Sequence, residues 1–179
     1  MNNKQSGMTY IELLISVSII AIILSAVVML TNSAVTSWMQ GRARIEVEQT
    51  LRVGIDTIVR DTRYATLASV VQEGGVLILR LTNINGDTID FRVNPITRAL
   101  TKRITTRFGT TGGFQPIAGD GTGGIEGDIV IIDNPDTEFP AGIPIFAIQD
   151  NLVSVTVTAM HKKTGVQATM HTKIFCVNM

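Results

Sequence analysis

The chain has 179 residues, 45% of them hydrophobic and 17% charged, with 15 Lys and Arg balancing 15 Asp and Glu. A mean hydropathy of +0.29 is too apolar for an ordinary soluble domain of this size, while the zero net charge argues against nucleic acid or an anionic surface as the main partner. One cysteine, Cys176, excludes an intrachain disulfide.

The apolar excess sits at the start. From Leu13 to Leu30 every residue is apolar or a serine, matching the ~18–20 residues that a helix rising ~1.5 Å per residue needs to cross a ~30 Å hydrocarbon core. Glu12 stands at its lip, and no other charge follows until Arg42. An unpaired carboxylate at a bilayer centre costs ~2.5–3.5 kcal/mol or more, so its placement calls for a reason. The apolar run is longer than the ~7–15 residues of a secretory signal, and the sequence around Asn32, Ser33 and Ala34 is a weak cleavage site. Lys4 is the only charge of the segment Met1 to Gly7, which by the positive-inside tendency keeps this end cytoplasmic and sends the rest outward.

The stretch KQSGMTYIELL resembles the class III leader of type IV pilin-like proteins: a short basic leader, Gly, a hydrophobic residue, Thr or Ser, and a Glu five positions into the mature chain. The resemblance implies cleavage after Gly7 by a membrane prepilin peptidase, N-methylation of the new first residue Met8, Thr9 as the small polar residue of the processing motif, and Glu12 as the acid. Most family members have Phe where this chain has Met8. Glu12 would then pair with the ammonium of Met8 in a neighbouring subunit, two opposite charges in a poorly screened setting.

Downstream, residues 32–68 contain no proline, and Val35, Trp38, Met39, Ile45, Leu51, Ile55, Ile58 and Val59 recur at helical spacing with charges between them. One helix of roughly sixty residues, ~90 Å long, is expected, apolar all round in its first half and amphipathic in its second. Gly41 and Gly54 are its candidate bend points. The family's long helix often has a Pro where this chain has Met29.

After Glu73-Gly74-Gly75 the period becomes alternating. Val76–Thr82 and Asp87–Val93 flank Asn85-Gly86, a strong hairpin signal in which both residues accept positive φ. A third strand is expected from Ala99, a loop over Gly109–Gly127, and strands over Asp128–Asp133, Ile143–Ile148, Leu152–Met160 and Val166–Asn178, the last two joined by a turn at Lys162–Gly165. The fold class is therefore α+β: a long N-terminal helix packed on a mostly antiparallel β-sheet head. The expected division is a leader at 1–7, a transmembrane or filament-core helix at 8–31, an amphipathic helix at 32–68 and a β-rich head at 74–179, roughly 105 residues and large enough to bury a core.

RVGIDTIVRDTRYA, the LTKR segment and the final TKIFCVN are similar to minor pilins of the PilW-like type and to the J-type minor pseudopilin of type II secretion. Major type IVa pilins close a loop with two cysteines, from which this chain departs. The resemblance implies a structural subunit, anchored in the cytoplasmic membrane with its head outside, then part of a type IV pilus, competence pseudopilus or type II secretion pseudopilus, priming assembly or sitting at the tip. Its implied partners are the prepilin peptidase and N-methyltransferase, other pilins or pseudopilins, and the inner-membrane assembly platform. The competing reading is a binding module whose head captures DNA or a secreted substrate.

Catalytic signatures are missing: no G-x-S-x-G, P-loop, H-E-x-x-H or CxxC occurs, and no cofactor is expected. Asp120, Glu126 and Asp128 in GDGTGGIEGD are weak calcium candidates whose spacing does not match an EF-hand. Cys176 reads as a small buried hydrophobe, and a metal site with His161 and His171 would require the chain to fold back on both. Lys102, Arg103 and Arg107, with Lys162 and Lys163, read as solvated faces.

Overall fold

A computed structural model of the chain describes residues 9–121, 127–132 and 145–176. Among them are helix α1 (Tyr10–Arg63) and nine strands: β1 (Ala65–Glu73), β2 (Val76–Asn83), β3 (Thr88–Val93), β4 (Leu100–Thr105), β5 (Gln115–Ala118), β6 (Ile129–Ile132), β7 (Phe146–Gln149), β8 (Leu152–His161) and β9 (Gln167–Phe175). The architecture is the expected pilin-like α+β arrangement. The chain divides into two compact units, Met1–Gly41 and Arg42–Met179.

In the first unit α1 begins at Tyr10 and presents an apolar surface all round from Leu13 to Leu30. Its most hydrophobic 18-residue window has a mean hydropathy of 3.0 and no buried residue. By length and composition it can cross a membrane.

In the second unit α1 buries Ala43, Val47, Leu51, Gly54, Ile55, Ile58 and Thr62. The steps of three and four between them set one face of a 3.6-residue helix against the sheets. Ile45, expected on that face, is exposed, as are Val35, Trp38 and Met39 in the first unit. Two residues, or ~200°, separate Ile45 from Val47, so the two cannot share a stripe.

The strands form two antiparallel sheets. One runs in the order β1-β2-β3-β4-β5. In the other, β8 is central: β9 pairs along one side of it over Leu152–Met160, while β7 pairs with Leu152–Val155 and β6 with Thr158–His161 on the opposite side. Val47, Leu51, Ile55 and Ile58 of α1 join Leu79, Leu81, Phe91, Val93 and Leu100 of the first sheet and Val153, Val155, Val157 and Ala159 of the second in one core. Each of the Val, Leu, Ile and Phe side chains among them contributes ~1.5–3 kcal/mol on burial. The expected alternation of β8 holds, with every second residue from Val153 to Ala159 buried.

Three expectations need correction. The helix ends at Arg63 and not near 68, and residues 65–73 form β1. The glycine-rich passage contains β5, which pairs with β4 through Leu100↔Ala118, Thr101↔Pro116 and Lys102↔Gln115. At the β2–β3 turn only Gly86 has positive φ (83°); Asn85 does not. Gly86 N–H donates to the Asn83 carbonyl, and Asn83 Oδ1 accepts from the Asn85 and Asp87 amides, which makes this a three-residue loop with one left-handed glycine.

Gly54 lies within the continuous helix and is a point of close approach. A Cβ there would lie 2.7 Å from Ala118 Cβ and 3.3 Å from Leu100 Cδ2, so the absent side chain lets α1 rest on β4 and β5. Gly41 has nothing within 4 Å of the corresponding position. We expect Gly54→Val to destabilise the head by ~2–3 kcal/mol through overpacking, measured by thermal unfolding of the full chain in detergent. Gly41→Ala should cause no loss, since helix propensity favours Ala by ~1 kcal/mol.

Candidate functional site

The start of α1 is built by two side chains. Thr9 precedes the first helical residue, and its backbone N–H and hydroxyl both donate to Glu12 Oε2 at 3.1 Å, while the Glu12 N–H points back at Thr9 Oγ1 at 3.4 Å. This is a capping box, Thr at the cap and Glu at the third helical position, each satisfying an amide of the other that the helix cannot. The carboxylate also lies at the positive end of the helix dipole. Glu12 thus has a local function that the sequence already displayed as T-x-x-E ahead of an apolar run, yet its charge had drawn attention only to partners outside the chain.

The hydroxyls farther along are turned inward on their own helix. Ser16 Oγ donates to the Glu12 carbonyl, Ser18 to Leu14, Ser25 to Ile22 and Thr31 to Val27, at 2.7–2.8 Å. Each of these four hydroxyls is satisfied within the helix, as a hydrocarbon environment demands. What the segment displays laterally is almost purely apolar, with Glu12 as its one charge.

Gly7, Met8 and Glu126 lie outside the described residues. The two other calcium candidates are committed elsewhere: Asp120 accepts from the amides of Asp128 (3.0 Å) and Ile129 (2.7 Å), and Asp128 pairs with Lys163 at 2.7 Å. The hydrogen bond from Lys163 draws the Asp128 carboxyl below the usual carboxylate range. His171 Nδ1 bonds with Thr156 Oγ1 and His161 Nδ1 with Thr164 Oγ1. Cys176 is buried, its thiol against the Thr62 carbonyl at 3.5 Å and its pKa pushed up by burial. Among the described residues no cluster of three or more His, Cys, Asp or Glu could hold a metal ion.

The expected solvated group of Lys102, Arg103 and Arg107 is in fact divided between the two faces of the first sheet. Lys102, 17% exposed, reaches Asp61 of α1 at 2.5 Å. Arg103 turns to the other face and meets Asp90 at 2.5 Å; Asp90 also takes Arg80 Nε at 2.8 Å and its Nη2 at 3.2 Å, and Arg80 holds Glu73 at 2.9 Å. Asp90 is 2% exposed. Burial would raise its carboxyl, but the hydrogen bonds and charges of Arg80 and Arg103 outweigh that and leave it below the usual range. This network was not legible beforehand, because it requires the register Arg80↔Asp90↔Arg103 across β2, β3 and β4. Arg107 remains outside it, over the exposed ring of Phe108.

Residues 2–28 match the family model described as the prokaryotic N-terminal methylation motif. No curated protein and no solved structure matches the chain. The chain therefore carries a type IV pilin-like class III leader, joined to an apolar helix long enough to cross a membrane. Proteins with this motif are structural rather than catalytic, and the motif implies processing by prepilin peptidase and assembly with other pilins.

Proposed function

We propose that this chain is a minor pilin or pseudopilin: a filament subunit without catalytic activity. The observation that carries the reading is the match of residues 2–28 to the methylation motif, coinciding with a capped helix in which Glu12 is the one charge before Arg42. On this reading the peptidase cuts between Gly7 and Met8, and Met8 is N-methylated on the cytoplasmic side. The segment 8–31 then holds the subunit in the cytoplasmic membrane and later in the filament core, with the head outside. Glu12 pairs with the Met8 ammonium of a neighbouring subunit and fixes the stagger between them. The PilW-like and J-type resemblance supports a place at the tip or in priming assembly, in a type IV pilus, a competence pseudopilus or a type II secretion pseudopilus, docked on the inner-membrane assembly platform.

The test is the N-terminal sequence and intact mass of the protein purified from membranes. The expected result is a chain that begins at Met8 and is heavier by one methyl group. A chain cut beyond the apolar run, near Ala34, or an uncut chain, overturns the reading.

A further inference from the structure

The face of the first sheet that carries Asp90 holds a pair of cations that the fold leaves incompletely neutralised. Side chains alternate along a strand, so Arg80, Asp90, Arg92 and Arg103 share this face while Leu79, Phe91 and Val93 enter the core. Asp90 and Glu73 are committed to Arg80 and to one arm of Arg103. Arg92 is the diagonal neighbour of Arg103, since β3–β4 pairing sets Arg92 opposite Thr101 and Asp90 opposite Arg103. Both guanidiniums are held by one ring: the Arg92 carbon lies 3.7 Å and that of Arg103 4.4 Å from the Phe114 centroid. The Nε atoms of both are buried without a hydrogen-bond partner.

We propose that Arg92 and Arg103, seated on Phe114, form a binding site for a compact oxyanion, a phosphate or a carboxylate. A guanidinium stacked on a ring keeps its planar N–H edge in position, the fork that matches two oxygens of such an anion. Three guanidiniums against two carboxylates leave one positive charge over, and burial together with the nearby Arg103 charge pushes Arg92 below its ordinary pKa, so a bound anion relieves a cost that the empty site bears. The ring is already engaged by two cations, which removes it as a stacking platform for a nucleobase and favours a small anion over nucleic acid. The site does not depend on the filament reading.

The experiment is thermal unfolding of the full chain in an uncharged detergent, titrated with sodium phosphate, sodium acetate and sodium chloride at equal ionic strength. A binding anion raises the midpoint saturably by mass action. The expected result is a saturable rise with phosphate, or with phosphate and acetate, that chloride does not reproduce. A response to phosphate alone assigns a tetrahedral anion, and a response to both assigns carboxylates as well. Arg92→Gln should weaken the apparent affinity at least tenfold, while Arg107→Gln, outside the cluster, keeps it. Should Arg92→Gln fail to fold, Arg92→Lys, which keeps the charge but loses the planar fork, is read the same way. An equal rise with chloride, no saturable rise, or an undiminished response in the Arg92 variant overturns the proposal.

Discussion

Glu12→Gln should be cut after Gly7 as readily as the natural chain, yet enter filaments at least tenfold less. Glutamine serves in a capping box as glutamate does, so the acceptor for the Thr9 amide and hydroxyl survives and the helix still starts at Tyr10. Only the charge is lost, and with it the proposed attraction to a neighbour's ammonium in a setting where water screens little. A tenfold loss corresponds to ~1.4 kcal/mol, a modest demand on such a pair. Thr9→Ala makes the converse change: it removes the cap hydroxyl, at ~0.5–2 kcal/mol of helix start, but retains the carboxylate, and should enter filaments nearly normally. The check is the ratio of subunit in sheared filaments to subunit in membranes for each variant. Wild-type incorporation of Glu12→Gln together with failure of Thr9→Ala would assign Glu12 to capping alone.

Asp90→Ala should destabilise the head by ~3 kcal/mol, the low end of the ~3–5 kcal/mol for breaking a buried ion pair. The low end applies because Arg80 and Arg103, 32% and 25% exposed, can partly rehydrate. For a unit of this size the melting temperature would fall on the order of 10 °C. The same network makes stability depend on pH. The Asp90 carboxyl is depressed in the folded protein relative to the unfolded chain, so its contribution is complete above the unfolded value of about 3.9 and is lost as pH falls through the lower, folded value. Melting temperatures across this acid range should decline more steeply in the natural chain than in Asp90→Asn, and parallel curves would exclude Asp90 as a source of the acid sensitivity.

Local chemistry was legible in the sequence, and long-range pairing was not. The apolar run, the Asn85-Gly86 hairpin, the third strand near Ala99 and the alternation of β8 each depend on neighbours within a few residues. The end of α1 was misplaced because no Gly or Pro marks it: Arg63-Tyr64-Ala65-Thr66-Leu67 continues a helical composition, and Leu67 extends the apolar spacing although it is exposed. What draws Ala65–Glu73 into a strand is its partner, β2, through pairs such as Val70↔Leu79, a tertiary preference that outweighs propensity. β5 was hidden by flanking glycines and by Pro116. Its position at the end of the sheet order explains the proline, since an edge strand tolerates a missing N–H. The same limit applies to the candidate sites. Thr9 and Glu12 are three residues apart and their motif was visible, whereas Arg80, Asp90, Arg92, Arg103 and Phe114 meet only through sheet register.

The inward-turned hydroxyls of Ser16, Ser18, Ser25 and Thr31 have a mechanical consequence. A rod whose flanks carry no charge from Leu13 to Thr31 and turn their hydroxyls inward has little to resist slippage along another like it, because shifting such a pair by one helical turn exchanges one set of alkyl contacts for another of similar energy. On the proposed reading, where two such rods lie side by side, the detent that stops the slide is at the end, at Glu12.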